Sequence, residues 1–265
     1  MKSNNKWLSL YRLNYSSSTA YKTSNFAYFV GSLVQITSII LLWYINIREG
    51  SVAYSFNFIF TYYVVGELFI RSMDIVSNVR YYLAEDIMTG KLTSRLLLHR
   101  NVWMQYFVST IGRDLFVYLI NTSFLLLVMI FGFRFLILPD TLGAWLMFGF
   151  LFVSGIIISY LINIIIGSSA FYITNARGVI SMVEQFKSFL TGRLIPLNAL
   201  PQLGFLIFQP FSFLFFIPLT VFTNEINTND YSRIILGSII SIITLYLIAF
   251  VFYSRGIRRY EGIGI

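Results

Sequence analysis

Residues 84–100, AEDIMTGKLTSRLLLHR, carry Glu85, Asp86, Lys91, Arg95 and Arg100 in a chain that is otherwise mostly Ile, Leu, Phe and Tyr. Such a cluster could serve phosphate binding, acid–base chemistry or a charged docking surface. Gly90-Lys91-Leu92 invites comparison with a phosphate-binding loop, but that motif requires Gly five positions before its second Gly and Ser or Thr after the Lys. Glu85 and Leu92 stand there instead, so this loop is not expected to bind ATP. His99 is the single histidine and there is no cysteine, which removes disulfides, thiolate nucleophiles and cysteine-ligated metal. His99 reads as a polar residue at a helix end near a membrane surface. Three further carboxylates, Glu67, Asp74 and Glu184, are the candidates for proton or sodium sites should the chain be an ion-coupled carrier.

The elements that position these residues follow from composition. Of 265 residues, 57% are hydrophobic and 11% charged, with a mean hydropathy of +0.74, whereas roughly a quarter of a soluble domain is charged. Several apolar runs reach the ~20 residues that a helix needs to cross a ~30 Å hydrocarbon core, and none alternates like a barrel strand. The fold class is therefore all-α polytopic membrane protein, a single transmembrane domain over residues 1–265. The net charge of +8 fits loops held on the cytoplasmic side better than nucleic acid, which is not an expected partner.

Six spans are predicted, over residues 26–47, 52–70, 115–133, 142–173, 176–195 and 234–253. Before them, residues 1–25 lack an apolar core of the signal-peptide kind and interleave Trp7, Leu8, Leu10, Tyr11 and Leu13 with Lys6 and Arg12. They are expected to lie as a helix in the interface, not to be cleaved. Residues 71–101 form the long polar interval after the second span, and Arg113 and Asp114 are expected to mark the water boundary before the third. The fifth span is ambiguous between residues 179–190 and 203–222. With residues 176–195 chosen, Glu184 and Lys187 pair on one helix face. Pro196, Pro201, Pro210 and Pro218 then fall in a segment, residues 192–222, that dips into the membrane from outside and returns, shielded by protein.

Charge sets the orientation. Of nineteen Lys and Arg, Lys187 lies within a span, Arg48, Arg134, Arg193 and Arg233 fall on one side, and the other fourteen fall opposite. That bias places both termini, the interval 71–101 and the tail 254–265 in the cytoplasm. No gap between spans is long enough for a separate soluble domain.

Within the polar interval, a helix beginning near Thr89 would align Met88, Leu92 and Leu96 as an apolar row, with Lys91 and Arg95 as a cationic one. A solvated loop with an incidental stripe is the competing reading. Around residues 189–219, Ile195 and Leu200 each precede a proline and should be extended, so the chain turns sharply, as a rigid hairpin or an outer lid. The C-terminal YSRGIRRYEGIGI places three arginines just past a span, a pattern that anchors anionic lipid.

Taken together, Asp86, Ile87, Gly90, Leu92, Leu96 and Leu97, then Gly192, Arg193, Leu194, Ile195, Pro196, Leu197 and Pro201, then Gly256, Ile257, Arg258, Arg259, Tyr260, Glu261 and Gly264 resemble the permease subunits of ABC transporters of the type 2 exporter (ABC-2) class. The likeness covers essentially the whole chain. His99 and Arg100 depart from it, standing where the family often has a proline. The resemblance implies a cytoplasmic coupling helix in residues 85–100 that docks on a separate ATPase subunit, through Glu85, Asp86, Met88, Gly90, Lys91, Leu92, Arg95 and Leu96. It implies an extracellular gate at Gly192, Arg193, Pro196 and Pro201, and a path between the second and fifth spans of two permeases, which Phe58, Tyr62, Tyr63, Met182, Phe186 and Phe189 would line. Each of these six could equally be a packing or lipid-facing residue.

The expected function is transport without catalysis on this chain: an exporter subunit of the bacterial cytoplasmic membrane, with no cofactor of its own, and ATP and Mg on the partner ATPase. The expected partners are two ATPase copies, a second permease, identical or homologous, and the lipid bilayer. A path so aromatic and poor in charge suits an amphipathic or apolar cargo such as a peptide, antibiotic or lipid. An ion-coupled secondary transporter and a non-transporting scaffold or immunity protein are the alternatives.

Overall fold

The computed structural model describes residues 22–50, 54–98, 100–173, 176–199 and 201–260. The interfacial helix expected over residues 1–25 therefore lies outside the described residues except for its last four, which form the first turn of a longer helix. His99, Glu261 and Gly264 also lie outside them. The described residues form nine α-helices, several short 3₁₀ stretches and no strand. The helices are α1 Lys22–Arg48, α2 Phe56–Ser77, α3 Val79–Met88, α4 Leu92–Leu96, α5 Val102–Phe131, α6 Leu142–Ser168, α7 Ala176–Leu190, α8 Phe216–Phe222 and α9 Tyr231–Ile257.

Three of the longer helices start on side-chain caps that satisfy a free N–H of the first turn. Ser55 accepts from Phe58 N, Asn101 from Met104 N and Thr141 from Ala144 N. Helix α6, continued by a 3₁₀ turn, and helix α9, preceded by one, are long and apolar enough to cross a membrane. They occupy different places. The most apolar stretch of α6 is 61% buried and that of α9 only 22%, so α6 is the axis of the bundle and α9 covers its flank. Helices α2, α3 and α9 all pack on α6.

Four sequence expectations change. The second span was expected to end at residue 70, but α2 runs to Ser77. Arg71 can lie within the helix because Glu67, one turn earlier, pairs with it at 2.8 Å, and Asp74 stands at 3.9 Å. The polar interval therefore does not begin where the second helix ends: it comprises the end of α2 and helices α3 and α4, separated by Asn78 and by residues 89–91. Helix α5 begins at Val102, so Arg113 and Asp114 lie mid-helix. Asp114 accepts hydrogen bonds there from Asn78 Nδ2 (3.0 Å) and Tyr82 OH (3.2 Å).

The fourth change concerns α7, whose 15 residues span ~22 Å at 1.5 Å per residue, short of a ~30 Å core. It ends where Gly192 takes φ = 80°, a left-handed conformation in which a Cβ would clash with the backbone. The chain then doubles back through 3₁₀ stretches into α8. Phe216 N donates to Thr191 O at 3.1 Å and the Gln209 amide to Leu190 O, which ties the returning segment to the end of α7. Residues Phe213 to Phe222 are buried throughout, so this irregular backbone is sheathed in protein. The core lies where α2, α6 and α8 meet, with Tyr62 and Phe215 ring centroids 5.2 Å apart at its centre.

Candidate functional site

The polar end of the bundle is an elbow between α3 and α4. Thr89 closes α3 and Gly90, at φ = 78°, turns the chain by a conformation that glycine adopts without strain. Asp86 then faces back across the turn. Its Oδ2 accepts from Arg95 Nε at 2.6 Å and from Tyr106 OH at 2.8 Å, and the Arg95 guanidinium lies 4.3 Å over the Tyr106 ring. Burial first, and the neighbouring Asp86 carboxylate second, push the Tyr106 phenol well above its ordinary pKa, so it remains a neutral donor. Gln105 Nε2 donates to the carbonyls of Arg95 (3.0 Å) and Arg100 (3.2 Å). Asp86 and Arg95 are thus struts that hold α4 against α5.

The expected row Met88, Leu92, Leu96 is not one helix face, because the break at residues 89–91 separates Met88 from the other two. Leu92 is fully buried in the chain's own core, while Met88 is partly buried and Leu96 lies at the surface. A single helix from Thr89 would have needed Gly90 and Lys91 inside it. Glycine's left-handed turn prevented that. Exposed on the elbow are Glu85, Thr89, Lys91 and Ser94, followed by Leu97 and Leu98. The sequence offered one signal of the break, a threonine and a glycine directly after an apolar helix end.

The six expected path residues divide into two groups. Phe58, Tyr62 and Tyr63 are buried in the core of this chain, so they form no open wall. Tyr62 OH donates to Gly192 O at 2.8 Å and Tyr63 OH to Leu194 O at 3.1 Å, while Trp43 Nε1 donates to Tyr63 OH at 2.8 Å. The phenols brace the turn after α7. Met182 and Phe186 are 62% and 58% exposed, and Phe189 is half-buried one turn on. With Ser181 and Gln185 also exposed, α7 presents a mixed apolar and polar face outward and turns Ile180 and Lys187 inward.

Of the expected gate residues, Gly192 and Pro196 are buried and Pro201 opens a 3₁₀ stretch. Arg193 and Arg71, assigned to opposite sides by the charge count, meet at one carboxylate. Both arginines share Glu67: Arg193 Nη2 lies 2.8 Å from Oε2 and Arg71 Nη2 2.8 Å from Oε1. Glu67 is ~16 Å along α2 from Phe56, about halfway along that helix. The turn therefore reaches into the middle of the bundle.

The expected pairing of Glu184 with Lys187 holds, at 3.6 Å, and Arg80 joins it at 3.4 Å. Arg80 Nη1 also donates to Asn163 Oδ1 on α6 at 2.8 Å and to Ser77 O at 2.9 Å. This junction links α3, α6 and α7. Neither Arg80 nor Asn163 was singled out from sequence, since each takes its partner from a different helix.

No curated protein matches the chain. The family profile described as "ABC-2 family transporter protein" matches residues 29–264, nearly the whole length. A helical chain with helices apolar enough to cross a membrane, an irregular segment sheathed between them and a charged elbow at one end thus belongs to the ABC-2 transporter family.

Proposed function

We propose that this chain is the permease subunit of an ATP-driven exporter, coupled through the α3–α4 elbow to a separate ATPase subunit. The observation that carries the reading is the elbow's division of labour. Asp86, Arg95, Tyr106 and Leu92 fix its frame from inside, leaving Glu85, Lys91 and Ser94 on its outer surface. A rigid knob with a charged rim suits a partner surface that must receive and return force. In this reading the chain crosses the bacterial plasma membrane six times with both termini and the elbow in the cytoplasm, an orientation that the basic bias supports. Helix α7 rises from the cytoplasmic side as far as the turn at Gly192, the chain completes that crossing by Asn198 beside the start of α2, and the segment up to Phe222 dips back and returns.

A second permease copy would face the outward side of α7. Met182, Phe186, Ser181 and Gln185 would then line a path that suits an amphipathic cargo, a peptide, antibiotic or lipid. Phe58, Tyr62 and Tyr63 would support the gate from behind. Two ATPase copies would carry ATP and Mg and drive a rigid-body switch of the paired bundles. An ion-coupled carrier fits less well, because Glu67 and Glu184 already hold two cations each.

The test is charge reversal on the exposed rim. Glu85→Lys with Lys91→Glu should leave folding and membrane insertion intact and remove the ATPase that otherwise copurifies with the chain. Arg233→Gln, on an exposed side chain at the far end, should retain it. Full ATPase retention and unchanged export in the rim variant would sink the coupling role of the elbow.

A further inference from the structure

A cavity of about 380 Å³ opens between α9 and the start of α5, remote from the α7 face and the Glu67 cluster. Its walls include Trp103, Tyr246, Phe250 and Tyr253, with Leu96 of the elbow and Arg258 among its lining residues. Tyr246 and Phe250 are about half exposed, and Trp103 meets Tyr246 and Tyr253 edge to face at 5.8 and 5.7 Å. From Tyr246 to Arg258 the helix rises ~18 Å, so an aromatic trough ends at a cation.

Two observations say what the trough would take. Arg255 and Arg258 are exposed at the end of α9, so the mouth carries cationic side chains that an anion can reach. The walls themselves are aromatic, Trp103, Tyr246, Phe250 and Tyr253 together. An aromatic trough that ends at a cationic mouth complements a molecule with an apolar chain and an anionic head.

We propose that this cavity is a binding site for one anionic phospholipid, its acyl chain along Trp103, Tyr246 and Phe250 and its phosphate at Arg258. Leu96 and Trp103 belong to the segments that Gln105 and Arg95 hold together, so an occupying lipid braces the elbow from its membrane side. The proposal rests on the chain's place in a membrane and not on ATPase coupling.

The experiment uses the full chain in bilayer discs titrated with phosphatidylglycerol or phosphatidylcholine brominated on the acyl chains, which quench nearby indoles. Subtracting the signal of Trp103→Phe isolates Trp103 from the other three tryptophans. Half-quenching should need roughly fivefold less phosphatidylglycerol than phosphatidylcholine, the factor expected of one basic side chain at an anionic surface. Arg258→Gln should lose that preference, and Arg258→Lys, which keeps the charge, should retain it. Equal quenching by both lipids, unmoved by Arg258→Gln, would reduce the trough to ordinary boundary surface. Absence of any Trp103-dependent quenching would mean that protein covers it, a second copy or residues 1–21, and would equally overturn the site.

Discussion

Gly192 shows how much one residue can fix. It sits at φ = 80°, and a Cβ there would lie 3.1 Å from Leu197 Cγ and Phe216 Cβ and 3.2 Å from the Tyr62 hydroxyl. Gly192→Ala thus incurs both the left-handed penalty of ~1–2 kcal/mol and a crowded contact. A lowered melting temperature in detergent is the expected outcome, and an unchanged one would mean that the turn relaxes freely. Glu67 is the electrostatic counterpart. Its side chain is 4% exposed and serves two arginines that are each 22% exposed, so Glu67→Gln leaves two part-buried cations short of a counterion and should cost less than the ~3–5 kcal/mol of breaking a fully buried pair. Adding Arg193→Gln should recover part of that loss, since one orphaned cation goes with it. A double variant less stable than Glu67→Gln alone would show that Arg193 acts through contacts other than the pair.

Helices were legible where an apolar run was long and uninterrupted. Residues 142–173 and 234–253, read from apolar length alone, nearly coincide with α6 and α9, because an uninterrupted apolar run leaves a helix little alternative in a membrane. Charge misled the reading at α2. Arg71 looked like the end of the span, yet a helix accepts such a residue when another on the same or a neighbouring element compensates it, as Glu67 does for Arg71. A partner on a neighbouring element is a tertiary fact that no window of sequence contains. The elbow was found but not its shape: Leu92 belongs to the core, and Leu97, 69% exposed, belongs to the surface. That difference is testable. Leu92→Asp buries a carboxylate and should abolish folding or insertion, whereas Leu97→Asp should insert normally and melt within about 0.5 kcal/mol of the unmodified chain, as surface changes do. Similar expression and melting of the two would contradict the packing of α4.

At the scale of the whole molecule, one charge count and one fold make a joint demand. In the proposed orientation the basic bias of fourteen to four has the elbow in the cytoplasm, and the fold puts Asn198 far from it, near the start of α2, where Tyr54 OH donates to its Oδ1 at 2.9 Å. Ser94 sits on the elbow and is exposed, as is Asn198. Because the chain has no cysteine, Ser94→Cys and Asn198→Cys each introduce a single thiol. In intact cells an impermeant maleimide should label Asn198→Cys and spare Ser94→Cys until the inner face is opened. A third position separates this fold from a simple outer loop. Arg193 is only five residues from Asn198 but reaches Glu67 midway along α2. Arg193→Cys should therefore react much more slowly than Asn198→Cys from outside, even though both lie in the same segment between α7 and α8. Equal rates at the two positions would place the whole turn in external water and dissolve the re-entrant reading. Labelling of Ser94→Cys first would invert the molecule in its membrane.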